Sequence, residues 1–176
     1  MKRLQAFSKV KEVYDRLDRD SLEKGILPMH STQDGFWGSS NIDIVYDFFV
    51  KVGLEKYKRF LDLGSGDGRI VLLASIFTDA TGAETDQELF ERAVKIRDSL
   101  GLKAEFLKKN YLDINFEDYD FIYVYPDKRF SPELEKKLKK ELKGKLFVYS
   151  SVYLPYFLKK GKTWWVDQYP TIEYTR

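Results

Sequence analysis

Cysteine is absent from the 176 residues, and histidine occurs once, at His30. The first absence removes disulfides, thiol nucleophiles and thiolate metal sites. A lone histidine cannot build a metal cluster, so no metal site is expected. Long apolar runs are also missing. No stretch approaches the roughly 20 residues that a membrane span requires, and the opening MKRLQAFSKVKEVYDRL has no apolar core of the signal type. The expectation is a cytoplasmic protein with no membrane partner. Nor is there an excess of one charge: 30 basic and 28 acidic residues are interspersed and leave +2, so nucleic acid is not indicated as a partner. The local exception is Lys136, Lys137, Lys139, Lys140, Lys143 and Lys145. It falls on a predicted helix whose apolar side is Leu134, Leu138 and Leu142, and it reads as a solvated face.

What is present is enough for one packed domain: 43% of residues are hydrophobic and 16% aromatic. An amphipathic helix is predicted over 4–24, with Leu4, Phe7, Val10, Val13, Tyr14 and Leu17 on one side and Gly25 as its stop. A polar and aromatic loop follows from Pro28 to Ser40, and then a helix over 41–53. From Arg59 the periodicity alternates. Strands are predicted at 59–63, 80–84, 103–108, 119–125 and 145–149, and helices at 67–77, 86–100 and 131–142. Alternation of this kind implies right-handed crossovers and a parallel sheet. Thr85, Asp86 and Glu88 give a start signal for the second crossover helix, and Ser131-Pro132 gives one for the third. Thr163–Asp167 and Thr171–Tyr174, split by Tyr169-Pro170, read as an antiparallel hairpin.

The run Phe60-Leu61-Asp62-Leu63-Gly64-Ser65-Gly66-Asp67-Gly68-Arg69-Ile70 carries the chemistry. An apolar strand enters a loop of three alternating glycines at the start of a helix. Without a Cβ, a ligand can lie against backbone N–H groups there. A dinucleotide loop wants G-x-G-x-x-G, but here the spacing is G-x-G-x-G and Arg69 stands where a third glycine is expected. Asp62 and Asp67 flank the loop and would repel a diphosphate. A ligand with a cationic head suits them better.

S-adenosylmethionine (AdoMet) is such a ligand, and LDLGSGDGRI resembles motif I of class I AdoMet-dependent methyltransferases. Residues 40–150 resemble a group of small protein lysine methyltransferases from archaea and mitochondria, which share this motif, an acidic end to the second strand and a proline after the fourth. The resemblance implies an α/β Rossmann-like sandwich. Its mostly parallel seven-stranded sheet would have order 3-2-1-4-5-7-6 with the last strand antiparallel, helices on both faces and an extra N-terminal helix. It also implies that residues 1–40 form a helix and lid ahead of a methyltransferase domain at 41–176.

Ligands of open α/β sheets bind beyond the carboxyl ends of the strands. Asp62 there would reach the methionine ammonium, and backbone N–H groups of Gly64, Ser65, Gly66, Asp67 and Gly68 would face the ligand. Asp67 has a second reading as an N-cap. Glu84, 22 residues after Asp62 and next to Thr85, would accept hydrogen bonds from both ribose hydroxyls. The resemblance assigns Asn110 and Tyr111 to the adenine, although an asparagine here also suits a turn. Ser39 and Ser40 either bind the carboxylate or cap the next helix, and Trp37 in the lid supplies apolar cover.

Tyr125-Pro126-Asp127, after the fourth strand, stands where the family meets its methyl acceptor. Nucleobase and amide N-methylating relatives carry Asn/Asp-Pro-Pro-Tyr/Phe there, which this chain lacks. Trp37, Tyr125, Tyr153 and Tyr156 are candidate walls of an acceptor channel, and Tyr125, Pro126 and Trp37 are the expected catalytic groups. The favoured expectation is an AdoMet-dependent enzyme acting on protein lysine. A non-catalytic AdoMet-binding scaffold and an RNA or small-molecule methyltransferase are the alternatives. Nothing in the sequence reports the oligomeric state.

Overall fold

A computed structural model describes residues 3–32 and 35–176, so Gln33 and Asp34 of the expected lid lie outside the described residues. Helix α1 (Arg3–Glu23) leads to a short hairpin, β1 (Met29–Ser31) and β2 (Phe36–Gly38), and then to α2 (Ile42–Val52). The alternating part follows as β3 (Arg59–Leu63), α3 (Arg69–Ala74), β4 (Asp79–Glu84), α4 (Gln87–Leu100) and β5 (Glu105–Lys108). Next come β6 (Phe121–Val124), α5 (Pro132–Glu141), β7 (Lys145–Val148), β8 (Lys159–Val166) and β9 (Tyr169–Thr175).

Strands β3 to β9 form one sheet in the order β5-β4-β3-β6-β7-β9-β8. Counted from β3 this is 3-2-1-4-5-7-6, and β9 runs antiparallel to both neighbours. The reversal of order between β4 and β6, on either side of β3, opens a crevice at the carboxyl end of β3.

The two faces of the sheet are chemically different. On β3, β6 and β7 the alternation of side chains puts Phe60, Phe121, Tyr123 and Phe147 on one side, packed with residues of α1 to α4. Leu61, Leu63, Ile122, Val124, Leu146 and Val148 point to the other side, with Leu134 and Leu138 of α5. The Phe121 and Phe147 rings stack at 3.9 Å and 11°. Such a contact adds about 0.5–1.5 kcal/mol to the burial energy of the rings. No helix among the described residues is long and apolar enough to cross a membrane.

The structure departs from the sequence reading in four places. The loop expected over Pro28–Ser40 contains the β1/β2 hairpin, where His30 is paired with Trp37 and their rings lie 5.1 Å apart. Leu4 leaves the predicted apolar stripe and is 69% exposed in the first turn of α1. Helix α3 is only six residues long. The glycine loop stays left-handed through Gly68, and Ile76 and Phe77 N–H donate to the carbonyls of Leu73 and Ala74 in tighter turns. Finally, Tyr169-Pro170 belongs to β9, and the hairpin turns at Asp167, whose φ is 51°. Pro170 is tolerated because β7 pairs with β9 only from Ile172 to Tyr174, so the missing N–H costs no ladder bond.

Candidate active site

Leaving β3, the N–H groups of Gly64 and Ser65 both donate to the Ala83 carbonyl on β4, at 3.0 and 2.8 Å. The loop is thereby folded over the end of β4, and Gly66 N–H reaches Glu84 Oε2 at 2.7 Å. Glu84 Oε1 accepts the N–H groups of Thr85 and Asp86 at 2.8 and 2.9 Å. Three of the carboxylate's roughly four lone-pair directions are thus already used. Glu84 stands where a ribose ligand was expected, but it is also the fastener between the glycine loop and the start of α4.

Gly66 has φ +55°, and a Cβ there would lie 2.5 Å from the Trp37 indole. The lid tryptophan therefore rests directly on the loop backbone. Gly64 has φ +80°, and a Cβ there would meet nothing within 4 Å, so that side of the loop is open to the crevice.

Asp62 is 3% exposed beneath this loop. Burial, and secondarily the charge of Glu84, push its carboxyl well above the usual aspartate range. Its register partner on β6 is Tyr123, whose hydroxyl is buried without a hydrogen-bond partner, as is the hydroxyl of Ser65. Buried polar groups nearly always find partners. Two orphaned hydroxyls beside a desolvated carboxyl make a cradle for a polar, cationic ligand.

Asp67 needs correcting. It is neither a ligand for the cationic head nor the side-chain cap of α3. Its carboxylate is taken by Arg69, 2.8 Å away, and both side chains are nearly inaccessible. The Arg69 guanidinium also holds Asp18 of α1 at 2.9 Å and the Ser40 carbonyl at 3.2 Å. The Tyr14 hydroxyl donates to the Asp67 carbonyl at 2.8 Å. The residue in place of the third glycine is thus a buried tie between α1, the loop and the base of the lid.

Two cavities open along the carboxyl edge. One, of about 250 Å³, is lined by Asp62, Gly64, Ser65, Gly66 and Asp67 together with Ser39, Ser40 and Tyr123. The other, of about 260 Å³, is lined by Glu84, Thr85, Asn110 and Tyr111. Gly64, Trp37, Tyr125, Pro126 and Asp127 line both. Helix α2 is capped by Asn41, whose side chain accepts the N–H groups of Asp43 and Ile44, so the capping alternative for Ser39 and Ser40 falls away. Asn110 does serve its turn, accepting Leu112 N–H at 2.9 Å, while standing in the cavity wall. Tyr153 and Tyr156 line neither cavity. Tyr156 is 85% exposed, and its N–H donates to Glu135 of α5. These two are not walls of the crevice.

Sequence reasoning missed Tyr123 and Asp127. Tyr123 lies two positions before Tyr125 on a strand and so shares its face, which was the available signal. The Asp127 carboxylate accepts Phe36 N–H at 2.6 Å, bridging from the β6 loop to the lid hairpin. No local pattern announces a contact between residues 91 apart in sequence.

A family model described as the ANTKMT methyltransferase domain matches residues 62–154, more than half of the chain. The chain belongs to this family. It is a class I AdoMet-dependent methyltransferase. Among curated relatives, an ATP synthase lysine N-methyltransferase of Caenorhabditis elegans is 31% identical over 102 residues, 56% of this chain and 54% of that protein. A sterol 24-C-methyltransferase of Neurospora crassa is 29% identical over 92 residues, 49% of this chain and 24% of that protein. The chain thus spans about half the length of the first and a quarter of the second. Of solved structures, an RNA methyltransferase from Salinibacter ruber in complex with S-adenosyl-L-homocysteine superposes with a TM-score of 0.63 at 19% identity, over 78% of this chain and 92% of that one. The Pyrococcus abyssi tRNA (uracil-54, C5)-methyltransferase gives 0.64 at 18%, over 80% and 40%. At these identities the likeness concerns the fold.

The residues present fit AdoMet. The orphaned hydroxyls of Ser65 and Tyr123, the desolvated Asp62 and the open side of Gly64 suit its charged methionine end. Glu84, Asn110 and Tyr111 line the second cavity, where its nucleoside would lie.

Proposed function

We propose that the acceptor of this methyltransferase is the side-chain amine of lysine in a protein. The observation that carries the reading is the 31% identity with a lysine N-methyltransferase, within an alignment covering 56% of the chain. Supporting it, the chain after β6 reads Tyr125-Pro126-Asp127 instead of the tetrad of nucleobase and amide methylation.

AdoMet supplies a sulfonium-bound methyl group, which an amine lone pair takes by in-line displacement while the C–S electron pair stays on sulfur and the nitrogen's proton goes to water. The chain's own residues have the work of binding, orienting and excluding water. Asp62 would hold the methionine ammonium, with Ser39 and the Ser65 hydroxyl nearby. Glu84 and Thr85 would take the ribose, and Asn110 with the Tyr111 backbone the adenine. Trp37 closes over the glycine loop, and Tyr125 and Pro126 form the acceptor side. A fixed side-chain base is unnecessary for an amine that reaches the site with its proton already lost.

The test is incubation with methyl-tritiated AdoMet and a cell lysate, followed by acid hydrolysis of the protein fraction and amino-acid analysis. Label is expected in methylated lysine. Glu84→Gln should lower transfer roughly ten- to a hundredfold, the effect of weakening one charge-assisted contact. Label confined to RNA or to small metabolites would overturn the lysine assignment.

A further inference from the structure

Beyond the cofactor residues, the aromatic face of the sheet ends in tyrosines at the mouth of the crevice. Tyr123 and Tyr125 are two apart at the end of β6, and Tyr149, whose N–H donates to the Val124 carbonyl, continues β7 beside them. The Tyr149 ring meets Tyr125 edge-on at 4.9 Å and lies 6.5 Å from Tyr123 and 6.2 Å from Tyr169, the first residue of β9. Exposure rises outward along this series, from 1% at Tyr123 and 9% at Tyr149 to 39% at Tyr169 and 53% at Tyr125. The phenol of Tyr149 is pushed up chiefly by burial and further by Tyr125 and Tyr169, and that of Tyr123 by burial and then by Asp62, Tyr149 and Tyr125. These two inner rings therefore stay neutral, with intact π faces, in a row that begins at a desolvated carboxyl.

A row of phenol rings leading to a buried carboxyl is poorly suited to an anion. It suits a positively charged nitrogen, which gains cation–π attraction from each ring face within about 6 Å. Simple core packing explains Phe121 and Phe147, which carry no polar atom. It does not explain Tyr123, whose hydroxyl is orphaned in a cavity wall, or Tyr125 and Tyr169, whose rings are left open to solvent.

We infer that Tyr125, Tyr149 and Tyr169 form a cation-binding aromatic slot that receives the acceptor's ammonium and directs it inward past Tyr123. The inference rests on the amine-acceptor reading and deepens it. It also makes the C-terminal hairpin, which lies beyond the matched residues 62–154, part of acceptor recognition through Tyr169.

The probe is choline, compared with its neutral isostere 3,3-dimethylbutan-1-ol, titrated by NMR into the full chain saturated with S-adenosylhomocysteine. Choline should bind at least fivefold more tightly than the isostere. Tyr169→Ala and Tyr125→Leu, both at exposed positions, should each weaken choline binding threefold or more while leaving S-adenosylhomocysteine affinity and the melting temperature unchanged. In turnover assays the same variants should raise KM for the acceptor more than they lower kcat. Equal binding of choline and the isostere, no measurable binding of either, or unchanged choline affinity in both variants would overturn the slot. The outcomes separate from those of the lysine assignment. Labelled methyllysine without choline binding defeats the slot alone, and choline binding with label only in a non-lysine product defeats the lysine reading alone.

Discussion

Asp62 is an aspartate held in an environment that disfavours its charge, and two measurable effects follow. Its folded-state pKa is raised by burial and by Glu84, so the folded state holds this proton more tightly than the unfolded chain does. The associated stability is present at low pH and is lost as pH climbs from the ordinary aspartate range through the raised value. Asp62→Asn removes this dependence. The variant should melt higher than the parent at pH 8 and little differently at pH 4, while AdoMet affinity falls about tenfold or more through loss of a charge-assisted contact. Thermal melts at the two pH values and calorimetric titration check both halves. In the parent, a bound ammonium would pull the carboxyl back down, so AdoMet binding should release protons, read as a dependence of binding heat on buffer ionisation enthalpy. Gly66 gives a second test at the same scale. Gly66→Ala places a methyl 2.5 Å from the Trp37 ring at φ +55°. The left-handed backbone alone costs about 1–2 kcal/mol. Urea unfolding should show at least that loss, with AdoMet binding weakened because the indole is lifted.

Between elements, the Arg69 tie has the largest consequence. It joins α1, the glycine loop and the base of the lid through Asp18, Asp67 and the Ser40 carbonyl. Arg69→Met leaves Asp67 buried with no cation. Breaking a buried pair in this way costs about 3–5 kcal/mol. Most of that should return in Arg69→Met/Asp67→Asn, and urea denaturation of the single and double variants measures the difference. The hairpin bridge is weaker and more exposed. Asp127→Ala removes the acceptor for Phe36 N–H, so amide hydrogen exchange over 29–38 should accelerate with little change in global stability. Elements themselves were legible wherever a local signal existed. Asp86, Ser131 and Gly101 mark helix ends, and each does so in the structure. The β1/β2 hairpin was not legible, because three-residue strands are too short to show a period and owe their pairing to contacts with the crevice.

For the molecule as a whole, the sheet order followed from the alternation of periods and the family resemblance, and the glycine loop pointed to the crevice. The occupants of the crevice wall were only partly legible. Glu84 could be located from its strand end, but its three backbone bonds depend on how the loop folds back over β4. Asp67 looked available because sequence cannot show that Arg69 turns inward to meet it. Tyr153 and Tyr156 looked like walls because they follow β7, yet Glu135 draws their loop onto α5.

The position of Trp37 bears finally on the rhythm of turnover. One indole is shared by both cavities and leans on Gly66, and its hairpin is pinned to the segment carrying Tyr125. Donor and acceptor therefore cannot come and go through independent doors. The catalytic cycle should be sequential and ordered, donor first in and spent donor last out, with spent donor inhibiting competitively against AdoMet and noncompetitively against the amine.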